Sequence, residues 1–223
     1  MSPAPQTASP TACPSAMRHP VFARVWAYLS PRVEDRGIGE HRQRLLAGLS
    51  GRVVELGAGN GLNFARYPDT VTEVVAIEPE PYLRGLAVQA AQAASVQITV
   101  VDATGEAIPS GDARFDYAVV SLVLCSVADP RLVLEEVRRV LKPGGGLRYY
   151  EHVLALRRTP AAVQRFMDAT VWPRIAGGCH MSRDTGALIR SAGFSVAHEQ
   201  RIAVKMSSLE PAIPHILGSA RRA

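Results

Sequence analysis

The strongest chemical signature in the sequence is a glycine-rich turn, Glu55-Leu56-Gly57-Ala58-Gly59-Asn60-Gly61, directly after the apolar pair Val53 and Val54. Glycines there let the backbone turn sharply and approach a ligand, and amides exposed at a helix start would hold an anionic or carboxylate group. An acid, Glu78, lies 21 positions after Gly57 at the end of a second apolar run, where a carboxylate can hold both hydroxyls of a ribose. Reactive types recur further on: Glu151 and His152 close one apolar run, Cys125 another, and Cys179 and His180 follow Gly177 and Gly178. The pattern describes a nucleoside site with an imidazole near it that can take or orient a proton.

Two cofactor classes use such a turn. A dinucleotide wants its third small residue one place after Gly61, but Leu62 stands there, and a pyrophosphate would have to pass beside it. S-adenosylmethionine carries no phosphate. It needs amides for a carboxylate and an acid near its amino group, and Glu55, inside the strand, suits that role. The residues together favour S-adenosylmethionine over NAD.

Apolar runs of strand length alternate with helical periodicity, the pattern of a parallel sheet covered on both faces. Strands are expected from Arg52 to Gly57, Val71 to Glu78, Val96 to Asp102, Phe115 to Leu124, Gly146 to Val153, Phe194 to Val204 and His215 to Ala220. Helices are expected over Pro81 to Ala94, Pro130 to Leu141 and Asp184 to Ala192, the second stopped by Lys142-Pro-Gly-Gly-Gly. Two more, Val21 to Leu29 and Glu40 to Leu49, precede the first strand and have none to connect, so residues 21–50 read as a helical lid.

The chain has 223 residues, 47% of them apolar, which suits one substantial domain over residues 21–223 and leaves no room for two enzymatic ones. Residues 1–20, rich in Pro, Ala and Ser, lack the charged start and apolar run of a secretory signal and read as a disordered tail. The net charge is +5, but 23 of the 25 basic residues are arginines scattered without a block, which argues against a nucleic-acid partner. No run approaches the roughly 18 apolar residues that cross a bilayer, so no stable membrane anchor is expected. Cys13, Cys125 and Cys179 cannot all pair and show neither metal spacing nor a disulfide-rich setting. A reducing cytoplasm and no metal are the expectation.

Val54-Glu-Leu-Gly-Ala-Gly-Asn-Gly, Ala76-Ile-Glu78-Pro, Gly105-Glu-Ala-Ile-Pro109, Phe115-Asp116 and Leu141-Lys-Pro-Gly-Gly145, in this order, resemble the motifs of class I S-adenosylmethionine-dependent methyltransferases. The subgroup resembled includes the ubiquinone and menaquinone methyltransferases. The resemblance implies an α/β, Rossmann-like fold with a seven-stranded, mostly parallel sheet of order 3-2-1-4-5-7-6, the last strand antiparallel, and helices on both faces. It implies a methionine end at Glu55, Gly57, Ala58, Gly59 and Gly61, a ribose at Glu78 and Pro79, and an adenine edge along Asp102, Thr104, Gly105 and Glu106, where either Asp102 or Thr104 takes the place of the family's acid. Ser121 completes that set. Further words, Leu122-Val-Leu-Cys125-Ser-Val, Glu151-His-Val153, Asp168 with Trp172, Gly178-Cys179, Arg183-Asp-Thr185 and Pro214-His-Ile216 with Gly218, resemble the membrane-associated alkyl thiol methyltransferases. Those enzymes begin with an apolar anchor where this chain has a polar tail, so membrane residence is not carried over.

After the fourth strand there is no Asn-Pro-Pro-aromatic word for exocyclic amines, no pair of acids for arginine, and no acidic cluster for Mg2+ before Asp129. An apolar pocket for a small acceptor remains. A thiol, with a pKa of about 8.5, needs little activation, whereas an aliphatic alcohol needs a strong base. His152 is the candidate base, with Glu151 beside it; Tyr28, His41, Leu124, Cys125, Trp172, Cys179 and His180 are candidates for the acceptor pocket. The expected activity is methylation of a small apolar thiol, with C- or O-methylation of a quinone or phenol as one alternative. An NAD-dependent oxidoreductase and a non-catalytic cofactor-binding protein are alternatives of other classes.

Overall fold

A computed structural model of the chain describes residues 19–205 and 212–223. The expected tail lies almost wholly outside the described residues. Seven strands form one sheet: β1 (Gly51–Leu56), β2 (Val71–Ile77), β3 (Ile98–Val101), β4 (Phe115–Ser121), β5 (Leu141–His152), β6 (Phe194–Val204) and β7 (Ile213–Arg222). Their order is β3-β2-β1-β4-β5-β7-β6, as expected; β1 to β5 pair in parallel and β7 runs antiparallel to both neighbours.

The central strands are continuously apolar because both faces are covered. Side chains alternate across a strand, so Val54, Leu56, Val120 and Tyr149 enter one core while Val53, Val119 and Tyr150 enter the other. Helix α4 (Pro130–Val140) lays Val133, Leu134, Val137 and Val140 on the first, each burial contributing on the order of 1.5–3 kcal/mol. Asp129 starts that helix by accepting from Arg131 N at 2.9 Å, and Glu80 does the same for α3 (Pro81–Gln92) through Leu83 N at 2.7 Å.

Before β1, helix α1 (Pro20–Val33) passes through a π-helical turn, Glu34–Ile38, into α2 (Gly39–Leu46), whose Leu45 and Leu46 are buried in the second core. The two expected lid helices are thus nearly continuous. Helices α5 (Arg158–Ala169) and α6 (Trp172–Ile175), unanticipated from the sequence, precede α7 (Thr185–Ser191). Among the described residues no helix is long and apolar enough to cross a membrane.

Two expectations fail for local reasons. The glycine turn leads not into an α-helix but into a single 3-10 turn, Phe64–Arg66, because Pro68 forces Tyr67 into an extended conformation with ψ 131°. The fourth strand stops at Ser121, three residues early, because Leu122 takes φ +60°, a left-handed conformation costly for a residue with a β-carbon. β5 instead starts earlier than expected, at Leu141, and pairs across a bulge with β4.

Near the centre of β7, Gly218 leaves room for the Tyr149 ring, whose hydroxyl donates to Glu199 Oε2 at 3.0 Å. A β-carbon on Gly218 would lie 2.4 Å from Tyr149 Cζ and 2.7 Å from His198 O. Gly218→Ala is expected to cost about 1–3 kcal/mol in denaturant unfolding, the usual range for overpacking. A loss below about 0.5 kcal/mol would show that the ring moves aside freely.

Candidate active site

In an open α/β sheet, ligands bind outside the carboxyl ends of the parallel strands where the strand order reverses, here between β1 and β4. The turn after β1 sits there. Gly57 has φ +61°, and a β-carbon on it would meet Val123 Cγ2 at 2.6 Å, so the turn packs directly on the loop after β4. Glu78, buried at the end of β2, accepts from Gly59 N at 2.7 Å through Oε2 and from Glu80 N at 2.9 Å through Oε1. Burial outweighs these bonds and raises its carboxyl to about 7.

Glu55 lies inside β1, next to the turn. It is 2% exposed, and its oxygens accept from Asn63 Nδ2 and from Tyr67 Oη, both at 2.7 Å. It therefore knots the turn from inside, each oxygen keeping a lone pair beyond its one bond; burial raises its pKa against those two bonds. Asn63 in turn accepts from Arg42 of α2 at 3.1 Å, and the same guanidinium nitrogen donates to Ser121 Oγ at 3.3 Å while its Nε pairs with Glu34 at 2.8 Å. On the far side, Asp102 pairs with Arg84 at 2.9 Å, and Thr104 bridges to Ala107, turning Gly105 inward.

The second half of the site stands at the ends of β4 and β5. Glu151 is fully buried and accepts from the amides of Val123 (2.8 Å), Leu124 (3.0 Å) and Cys125 (3.2 Å). Arg183 Nη1 donates to the carbonyls of Leu124 and Val127, both at 2.7 Å. Glu151, expected beside the base, is corrected to a brace: with three amides on it, it is not placed to take an acceptor's proton. The braced loop holds Cys125, and His180 N donates to Cys125 O at 2.7 Å, bringing in the segment after α6. That segment is tied to α5 by Asp168, which accepts from the amides of Met181 (3.0 Å) and Ser182 (2.7 Å).

These braces bring Cys125, His152 and Cys179 together. Each Sγ lies 3.4 Å from the same atom, His152 Nδ1. The sulfurs sit among Leu122, Met167, Trp172, Met181 and Ile213, and the buried indole N–H of Trp172 has no partner among the described residues. Cys179 is held below its ordinary value, first by the Cys125 thiol and then by His152, against burial. Cys125 moves up in response. Burial pushes His152 down, but contact with Cys179 raises it overall. His215, whose ring centre is 4.4 Å from that of His152, is pushed to about 3 by burial and stays neutral.

Of the other expected residues, Tyr28 is 62% exposed beneath Arg32, and Leu124 is buried in the core, with only its main chain serving the site. His41 lies beside Tyr150 at 5.8 Å between ring centres; His41 Nδ1, Tyr150 Oη and Glu106 Oε1 are buried without a partner among the described residues. A cavity of about 350 Å³ beside Asp116 and Lys142 opens at the opposite, amino-terminal edge of the sheet, away from all of these groups.

A family model for a methyltransferase domain matches residues 54–148. The chain is 35% identical to human thiol S-methyltransferase TMT1B over 209 residues, covering 89% of this chain and 85% of that protein. The chain belongs to the thiol S-methyltransferase family of S-adenosylmethionine-dependent methyltransferases. Human thiol S-methyltransferase TMT1A is 34% identical over 179 residues, covering 78% of this chain and 72% of that protein. A solved S-adenosylmethionine-dependent methyltransferase from Thermotoga maritima shares the fold at TM-score 0.62 and 21% identity, covering 91% of this chain and 98% of that one.

In this methyltransferase the Glu151 brace can be tested alone. Glutamine would place an amide N–H against one of the three backbone N–H groups, so Glu151→Gln is expected to cost about 1–3 kcal/mol in denaturant unfolding. Unchanged stability would show that the loop holds its shape without the carboxylate.

Proposed function

We propose that the protein methylates a small apolar thiol at sulfur. The observation that carries this is the acceptor end of the site, where two sulfurs and an imidazole, with Ser126 and His215 beside them, gather in otherwise apolar surroundings at the ends of β4 and β5. The likeness to TMT1A and TMT1B supports sulfur over the oxygen or carbon of a phenol or quinone. Scattered arginines support no nucleic-acid partner, and the free Cys125 and Cys179 suit a reducing compartment such as the cytoplasm.

The residues fit the cofactor. Each Glu78 oxygen keeps a lone pair beyond its backbone bond, which suits a ribose hydroxyl, with Pro79 beside it. The Arg42 cation beside Ser121 suits the methionine carboxylate, the amides of Ala58, Gly59 and Gly61 being held by Ile77 O, Glu78 and Ala58 O, and the stretch from Asp102 through Thr104 and Gly105 to Glu106, with its unpartnered buried oxygen, suits the adenine edge. Bound there, S-adenosylmethionine supplies an activated methyl for in-line displacement. The chain's own part is alignment, exclusion of water and stabilisation of a thiolate by His152, with Trp172, Cys179 and His180 closing over the acceptor and His41 facing it from the lid.

Two measurements follow. Glu78→Gln is expected to weaken S-adenosylhomocysteine binding by about 10- to 100-fold, the worth of hydrogen bonds to a charged group. Since folding raises the Glu78 carboxyl from 4.5 to about 7, its contribution to the stability of the unliganded chain is complete below 4.5 and lost as pH rises through 7. Ligand affinity runs the other way, falling as pH drops below about 7 in the native protein and staying flat in the variant; a flat native profile by calorimetry would rule out the carboxylate contact. With a panel of thiols, phenols and amines, mass spectrometry is expected to show methylated thiols, and turnover of phenols without thiols would sink the reading.

A further inference from the structure

We propose that Cys125, His152 and Cys179 form a binding site for a soft divalent metal, zinc by the chemistry of its ligands, with the fourth position left to the acceptor's sulfur. The proposal rests on the thiol reading for that fourth ligand and on geometry for the other three. Sγ of Cys125, Sγ of Cys179 and Nδ1 of His152 all lie within 4.8 Å of one another, and both sulfurs are 3.4 Å from the nitrogen. A tetrahedral ion with Zn–S of about 2.3 Å and Zn–N of about 2.0–2.1 Å separates sulfur and nitrogen ligands by roughly 3.5 Å. Both sulfur–nitrogen sides of the triangle already have the length that such an ion requires.

Hydrogen bonding to the imidazole accounts for only one side of the same triangle. A ring nitrogen has either one proton or one lone pair, so Nδ1 can bond well to one sulfur, not to two at equal distance. A shared cation satisfies both. Charge points the same way: before an acceptor binds, two thiolates, a neutral imidazole and a divalent ion sum to zero, which suits a place where Cys125 is 0% and Cys179 5% exposed. Two sulfurs and a nitrogen select zinc or a similarly soft ion and disfavour Mg2+ and Ca2+.

The ligands are held before any ion arrives. Cys125 sits on the loop whose amides Glu151 holds, His152 ends β5, and Cys179 donates its amide to Ala176 O at 3.1 Å while its neighbour His180 is tied to Cys125 O. Three protein ligands with an open fourth position are the arrangement of a catalytic rather than a structural zinc. There the acceptor thiol releases its proton to solvent and stays bound as thiolate. Its sulfur then forms the bond to the methyl carbon as that carbon's bond to the sulfonium breaks, the electron pair leaving on a neutral thioether. His152 then acts as a ligand, and no separate base is needed.

The test uses the full chain, reduced with a phosphine, stripped with a chelator and reconstituted with Zn2+ or Co2+. About one ion per chain is expected after gel filtration, with a thiolate-to-cobalt charge-transfer band and the visible bands of a tetrahedral site in the Co2+ form. Cys179→Ser and His152→Ala should each weaken the ion at least tenfold while S-adenosylhomocysteine still raises Tm, which shows that the variants fold; Cys13→Ser should keep it. A wild-type chain that binds S-adenosylhomocysteine but retains no ion overturns the proposal. Thiol turnover at full rate in stripped protein overturns the metal's role and leaves the thiol reading intact, whereas a loaded protein that methylates no thiol overturns the reading and leaves the metal site.

Discussion

The Glu151 carboxylate, sealed at the end of β5 and holding three consecutive amides of the loop after β4, is the contact on which the rest of the site depends. A buried carboxylate is costly unless its lone pairs are filled, and burial raises this one to about 7 despite the amides. What the cost secures is a shape. Leu122 is held left-handed at φ +60°, the loop turns back over the sheet edge, and Cys125 comes down onto His152. Strain of this kind persists only where surrounding contacts over-determine it, and here Glu151 from one side and Arg183 from the other supply them.

The cofactor side follows the same principle with different residues. Glu55 and Glu78 both sit at the carboxyl ends of adjacent strands, yet they are used differently. Glu55 is held by the side chains of Asn63 and Tyr67 and shapes the turn from within, whereas Glu78 is held by two backbone amides, one of them in the turn. The lid reaches this edge through Arg42, which spans Glu34, Asn63 and Ser121. One side chain thus links the π-helical turn, the glycine turn and the end of β4, so a shift of α2 is felt at both halves of the site.

Much of this was legible in the sequence, because parallel strands covered on both faces have to be apolar runs and the glycine turn has to follow the first of them. Strand order and the position of Glu78 came with those motifs. What was not legible depends on contacts distant in the chain. Cys125 and Cys179 are separated by α4, β5, α5 and α6, and no spacing rule for metal ligands covers such a gap, so the two sulfurs read as unrelated until the fold brings them to one nitrogen. At Glu55 the strand position was legible, whereas its bond to the later Tyr67, set extended by Pro68, was not. Pro68 was the signal that could have warned both of this and of the missing helix.

Arginine-rich composition bears on the site in one further way. Arg42, Arg84 and Arg183 each bind backbone carbonyls or acids around the cofactor and acceptor ends, and none of them reaches the sulfurs. A guanidinium beside a thiolate would stabilise the charge but also keep it hydrated and compete with an acceptor for the same space. Placing arginines in the surrounding frame and leaving sulfur, imidazole and apolar side chains at the centre keeps that centre dry, where charge interactions are stronger than in water. A thiol gains from such a place more than an alcohol does, because its anion is nearer to forming at neutral pH and gives up less hydration on entry. The preference for sulfur thus follows from what the centre lacks as much as from what it contains.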